Sequence, residues 1–211
     1  MPFLKPVFFL LAGPNGAGKS TLYRSALATG LLPSDAEFVN ADLYEAHALQ
    51  HITDPELRSA QARAWADGRR AACLAQGQSF VSETVFSHPS KLALMRDARA
   101  AGFAVVLLVV CVNDPRQLLS RVAQRVAEGG HDVPSERILA RYPRTLRYLQ
   151  DAIPLADLAL LYDTSGVGRQ GISGPKLVAR WRLGVWHWQV PRPPSWAKKV
   201  QPSTPPADLP V

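Results

Sequence analysis

The residues from Gly13 to Thr21 read GPNGAGKST. Gly13, Gly18, Lys19 and Ser20 satisfy GxxxxGK[ST], the pattern of a phosphate-binding loop. Without a Cβ to hold the chain away, glycines let backbone N–H groups turn inward around phosphate oxygens. A helix opening near Lys19 adds the positive end of its dipole. Lys19 is suited to bridge the β- and γ-phosphates, and the Ser20 hydroxyl to coordinate Mg²⁺. The candidate nucleotide-binding segment is therefore Gly13, Pro14, Asn15, Gly16, Ala17, Gly18, Lys19, Ser20 and Thr21. The cofactors it implies are ATP and Mg²⁺.

Two carboxylates follow short apolar runs. Asp42 stands in VNADLYE, where it could take the proton of an acceptor hydroxyl as a phosphoryl group is transferred. The competing role is that of helix N-cap, which Asp also fills well. Glu83 stands in VSETVFS, beside Thr84. It could hold Mg²⁺ through water, fix the acceptor, or pair with Lys19 or an arginine.

A third constellation is basic. Arg121 and Arg125 lie four residues apart, as do Arg137 and Arg141 beyond Gly129-Gly130, so each pair shares a helix face. Four arginines on facing helices suit a clamp that closes over phosphates and neutralises the charge in transfer. Arg125 and Arg141 are the two expected to reach phosphate. His131 in the intervening loop is either a ligand contact or a plain loop residue.

The elements that must position these groups follow from periodicity and breakers. Val7 to Ala12 is a continuous apolar run, as in a central parallel strand. Strands are expected at Glu37–Asn40, Ser79–Ser82, Phe103–Val112 and Leu158–Tyr162. Helices are expected at Lys19–Ala28, Pro55–Ala75, Pro89–Ala101, Gln117–Ala127 and Ser135–Ala152. Pro143 should kink the last or divide it in two. Strands alternating with helices predict an α/β three-layer fold with a parallel central sheet. Right-handed crossovers then put the loops after each strand on one edge, where ligands bind. The loop at Gly13, Asp42 and Glu83 all fall there. Residues 1–175 make the main domain. Residues 176–190 (KLVARWRLGVWHWQV) form a further strand or hairpin. The proline-rich residues 191–211 read as an extended or disordered tail.

Bulk properties agree. The chain has 211 residues, 47% of them hydrophobic, and a formal charge of +7. That balance favours anionic partners, and bound nucleotide phosphates account for it without nucleic acid. Cys73 and Cys111 lack CxxC spacing, lie in apolar surroundings and read as buried free thiols, which fits a reducing cytoplasm. No apolar run approaches the roughly 20 residues that span a bilayer. An ABC-type ATPase shares the opening string, but the chain has no LSGGQ-like signature and no apolar strand ending in Asp-Glu.

Taken together, GPNGAGKST, NAD, SETVFSHPSKL, RVAQRVAEGGHDVP followed by RY, and YDTSG resemble the zeta-toxin family of P-loop kinases, over about residues 5 to 168. The resemblance implies a nucleoside-kinase-like lid and an ATP- and Mg²⁺-dependent kinase. It implies transfer to the 3′-hydroxyl of the amino sugar in a sugar nucleotide such as UDP-N-acetylglucosamine, and a small antitoxin protein that blocks the ATP site. Lys19 and Ser20 then match the phosphate-loop pair, Asp42 the catalytic base and Glu83 the acidic residue after the third strand. Arg125 and Arg141 match the lid arginines. Asp163, Thr164 and Ser165 match a loop near the adenine, with Thr164 where the family often has Asn. Two other readings use the same residues. One is a metabolic or antibiotic kinase with another hydroxyl acceptor. The other is an ATP-dependent regulatory module acting through its basic, tryptophan-rich end.

Overall fold

The computed structural model describes residues 5–128, 133–168, 171–172 and 174–202. In chain order the elements are β1 (Val7–Ala12), α1 (Lys19–Ala28), β2 (Glu37–Val39), α2 (Ala41–Ala48), α3 (Pro55–Gln76), β3 (Phe80–Thr84), α4 (Ser90–Ala100), β4 (Ala104–Cys111), α5 (Arg116–Ala127), α6 (Ser135–Ala152), β5 (Leu158–Asp163), β6 (Val167–Gly168), β7 (Gly171–Ile172), β8 (Lys176–Arg182), β9 (Val185–Trp188) and α7 (Ser195–Lys199). Among the described residues, seven strands form one sheet in the order β2-β3-β1-β4-β5-β8-β9. The first five run parallel. Every residue of β1 is buried, as an inner strand covered on both faces requires. The α/β architecture with a parallel centre is therefore as expected, and it brings the ends of β1, β2, β3, β4 and β5 to one edge.

The glycine after β1 is required by space. A Cβ on Gly13 would stand 2.1 Å from the Val110 carbonyl oxygen of β4, well inside contact distance. The loop can leave the sheet at this point only as glycine. Two sites show how other elements are fixed. Asn40, not Asp42, caps α2: the Asn40 side chain accepts from the Leu43 N–H at 3.1 Å. Asp42 lies within the helix's first turn instead. Helix α6 passes through Pro143 without division. Tertiary anchors on either side hold it, for Tyr142 Oη donates to the Val112 carbonyl at 2.7 Å and Thr145 Oγ1 to the Val85 carbonyl at 3.0 Å.

Strand β3 ends two residues later than its composition suggests. Glu83 and Thr84 are drawn into it by pairing with Leu11 and Ala12 of β1. The C-terminal region departs further from expectation. Residues 176–190 do form a hairpin, turning at Leu183 (φ 50°) and Gly184 (φ 79°), both in the left-handed region that short hairpin turns need. The hairpin joins the main sheet, because β8 runs antiparallel to β5.

The following residues are not a free tail as far as residue 202. Helix α7 seats Trp196 in the core at 1% exposure. A single large side chain overrides the proline-rich composition around it. Trp196→Ala is expected to destabilise the fold by about 3–5 kcal/mol, read as a lower urea midpoint at unchanged slope. Wild-type stability in that variant would mean that α7 is only loosely attached.

Candidate active site

The loop from Gly13 to Thr21 closes on itself around Lys19, which is 8% exposed. Its Nζ donates to the Gly13 carbonyl at 3.0 Å and the Pro14 carbonyl at 3.2 Å. It also lies 3.6 Å from Glu83 Oε1. The ammonium is thus stored against the loop and one carboxylate. Incoming phosphate oxygens would offer it stronger, charged acceptors. Gly18, at φ 96°, precedes α1 as its N-cap, so the helix opens directly beneath the loop.

Two recesses meet at Lys19. The larger, about 380 Å³, lies over the loop and is lined among others by Gly18, Lys19, Ser20, Thr21, Glu83 and Arg125. The smaller, about 100 Å³, is lined by Asn15, Lys19, Asn40, Asp42, Glu83, Thr84, Arg125 and two neighbours. Lys19, Glu83 and Arg125 belong to both, so the two form one continuous site. The first is built like a nucleotide berth. The second presents a carboxylate, Asp42, that does not cap its helix and is exposed on the first turn of α2.

Of the residues expected at the site, Asn15, Gly16, Gly18, Lys19, Ser20, Thr21, Asp42, Glu83, Thr84 and Arg125 line the joined recesses, while Gly13, Pro14 and Ala17 shape the loop without lining them. Glu83 realises its pairing with Lys19, and its other oxygen accepts from Asn40 Nδ2 at 3.2 Å. Thr84 Oγ1 accepts from the Phe86 N–H at 3.1 Å, which shapes the turn after β3. Arg141 lines neither recess. It is half-buried on α6, and burial with the neighbouring Arg137 and Arg144 pushes its guanidinium below its ordinary value, while Asp42 acts the other way. Arg141 thus feels Asp42 without lining the phosphate berth.

Asp163 is also outside the lining. Its carboxylate is engaged by the Trp196 indole N–H at 2.7 Å and by Ser165. An adenine contact therefore finds no support at that side chain. His131 lies outside the described residues. Cys73 and Cys111 are buried and free, and burial pushes the Cys111 thiol up to about 12.

Two participants were missed. Asn40 both caps α2 and steers Glu83, and an Asn directly after a strand and before a helix was its available signal. Arg24, on α1, also faces the larger recess. Nothing in its spacing distinguished it from a solvated helix charge.

Loop, sheet order and joined recesses define a P-loop nucleotide-binding α/β domain of kinase-like build. The chain belongs to the AAA-domain family, whose model matches residues 8–145. It is 27% identical over 138 residues to an uncharacterised Haemophilus influenzae protein, covering 65% of this chain and 92% of that one. The fold is similar to the crystal structure of AvrRxo1-ORF1:-ORF2 with ATP, at 17% identity and TM-score 0.69, covering 94% of this chain. This chain spans 64% of that matched chain's length. It is also similar to a structure of the PezAT chromosomal toxin–antitoxin system of Streptococcus pneumoniae. There the TM-score is 0.63 at 15% identity, covering 85% of this chain and 73% of that one. The likeness to these two structures is one of fold.

Proposed function

We propose that the protein is an ATP- and Mg²⁺-dependent kinase that transfers the γ-phosphate to a hydroxyl of a small acceptor, a sugar nucleotide of the UDP-N-acetylglucosamine kind. The observation that carries this reading is the meeting of the two recesses, with Asp42 on one side of Lys19, Glu83 and Arg125 and the phosphate loop on the other. Asp42 takes the acceptor proton. The acceptor oxygen bonds to the γ-phosphorus, the bond to the bridging oxygen breaks, and ADP leaves. Lys19 and Arg125 offset the charge on the moving phosphoryl group. Arg141, on which the Asp42 charge acts, serves the acceptor side.

The donor set suits Mg²⁺, since the Ser20 hydroxyl and Glu83 carboxylate facing the larger recess are hard oxygen ligands. Among the described residues, no group of three or more His, Cys, Asp or Glu is placed to hold a metal alone. The cation would therefore share nucleotide oxygens and water, and when bound it would supply charge neutralisation at the phosphates. The same reading gives the protein an antitoxin partner that covers the nucleotide site. Its support is that the PezAT neighbour is a toxin–antitoxin system. No helix among the described residues is long and apolar enough to cross a membrane.

The test is incubation with γ-labelled ATP, Mg²⁺ and a panel of sugar nucleotides, nucleosides and dinucleotides. Label on UDP-N-acetylglucosamine is the expected result. Label on another panel member would retain the kinase and remove the sugar-nucleotide acceptor.

A further inference from the structure

The turn after β5 takes no part in the reaction above, yet its hydrogen bonds reach both halves of the nucleotide site. Thr164 is 3% exposed. Its hydroxyl donates to the Ala17 carbonyl of the phosphate loop at 2.9 Å and accepts from Arg121 Nη1 at 3.0 Å. Arg121 Nη2 donates to the Thr164 carbonyl at 2.5 Å. The Thr164 backbone N–H donates to the Cys111 carbonyl at 3.0 Å, at the end of β4. The Thr164 methyl would stand 3.6 Å from a Cβ on Gly18, so it packs beneath the loop. One residue therefore joins the phosphate loop, the end of β4 and the first half of α5.

The turn is held in its own right from the C-terminal helix. Besides the indole bond to Asp163, the Ser165 hydroxyl donates to Asp163 Oδ1 at 2.8 Å and accepts from the Asn113 N–H at 2.8 Å. Asn113 Oδ1 in turn accepts from the Ser195 hydroxyl at 3.0 Å and the Trp196 N–H at 3.3 Å. Helix α7 thus ties together the loops that follow β4 and β5.

We infer that Thr164 is a positioning residue. It fixes the phosphate loop to α5, so that Arg125, one turn beyond Arg121, is presented over the nucleotide, and Trp196 steadies it through Asp163. The inference rests on the kinase reading for its effect on turnover, but not for its effect on ATP binding. The physical reason is local. Holding the Ala17 carbonyl outward keeps the loop's N–H groups turned toward phosphate. Holding the half-buried Arg121 guanidinium at two points fixes the height of α5 above the loop.

Valine has the shape of threonine without the hydroxyl. Thr164→Val is therefore expected to weaken ATP binding, measured by calorimetry, by about tenfold, and to lower kcat by about tenfold, as a small misplacement of charged groups does. Thr164→Ser, which keeps the hydroxyl, should recover most of both. Trp196→Phe, which keeps the ring bulk and loses the indole N–H, should shift ATP affinity in the same direction by less. Thermal unfolding of both variants should remain cooperative, with the Thr164→Val midpoint lower because the Ala17 carbonyl and Arg121 lose a buried partner, and ATP affinity is measured well below either midpoint. The proposal is overturned if Thr164→Val binds ATP within twofold of wild type, or if Thr164→Ser is as impaired as Thr164→Val. ATP affinity decides this claim, whereas absence of transfer by the wild type to every acceptor would reject the kinase reading alone.

Discussion

Asp42→Asn is expected to lower kcat by roughly 10²–10⁴ while ATP still binds, the range over which a positioned general base contributes. The structure makes this substitution informative. Asp42 is exposed in the first turn of α2, and Asn40 performs the capping. Loss of a carboxylate at that position removes a favourable dipole contact of only about 0.3–1 kcal/mol, so the helix should persist. Asparagine keeps the size and hydrogen-bonding reach of the side chain but cannot take a proton. Steady-state kinetics over ATP and acceptor concentrations would check it. Full activity in the variant would leave Asp42 no more than a surface carboxylate near the site.

Lys19→Ala should lower kcat by roughly 10²–10³ or more, since it removes a preorganised charge aimed at the transferring group. Its ATP affinity should also fall. A second consequence is local. Glu83 loses the cation 3.6 Å away while it still accepts from the Asn40 amide, so the site gains a less compensated carboxylate facing the phosphates. Glu83→Gln added to Lys19→Ala should therefore recover part of the ATP affinity but little of the turnover. Isothermal calorimetry and initial rates on the two variants would separate these effects. Equal ATP affinity in Lys19→Ala and wild type would contradict the placing of this lysine at the phosphates.

The strand, glycine loop and helix from Val7 to Ala28 were legible because each step is local. An apolar run, a glycine-rich loop and a helix start follow one another within a few residues. The arginine pair on α5 was legible from its four-residue spacing, which placed Arg125 toward the recess. What the sequence hid was long-range. Glu83 and Thr84 look like the start of a polar loop until β1 pairs with them. Asp163 looks like a ligand residue until Trp196 reaches it from 33 positions away. Average composition conceals the docking of α7, because only Trp196, Ala197 and Val200 among prolines and charged residues carry it into the core. Asn40 took the capping role that Asp42 could also have filled, a choice that depends on where β2 stops.

The most direct measurement is the partition of γ-label from ATP between an acceptor hydroxyl and inorganic phosphate, with Mg²⁺ present and Lys19→Ala as the blank. The account predicts that label accumulates on an acceptor in the wild type and on none in the blank. Label found only in inorganic phosphate, with a rate that no acceptor in the panel changes, would contradict it and would make the protein a nucleotide-driven regulatory module instead.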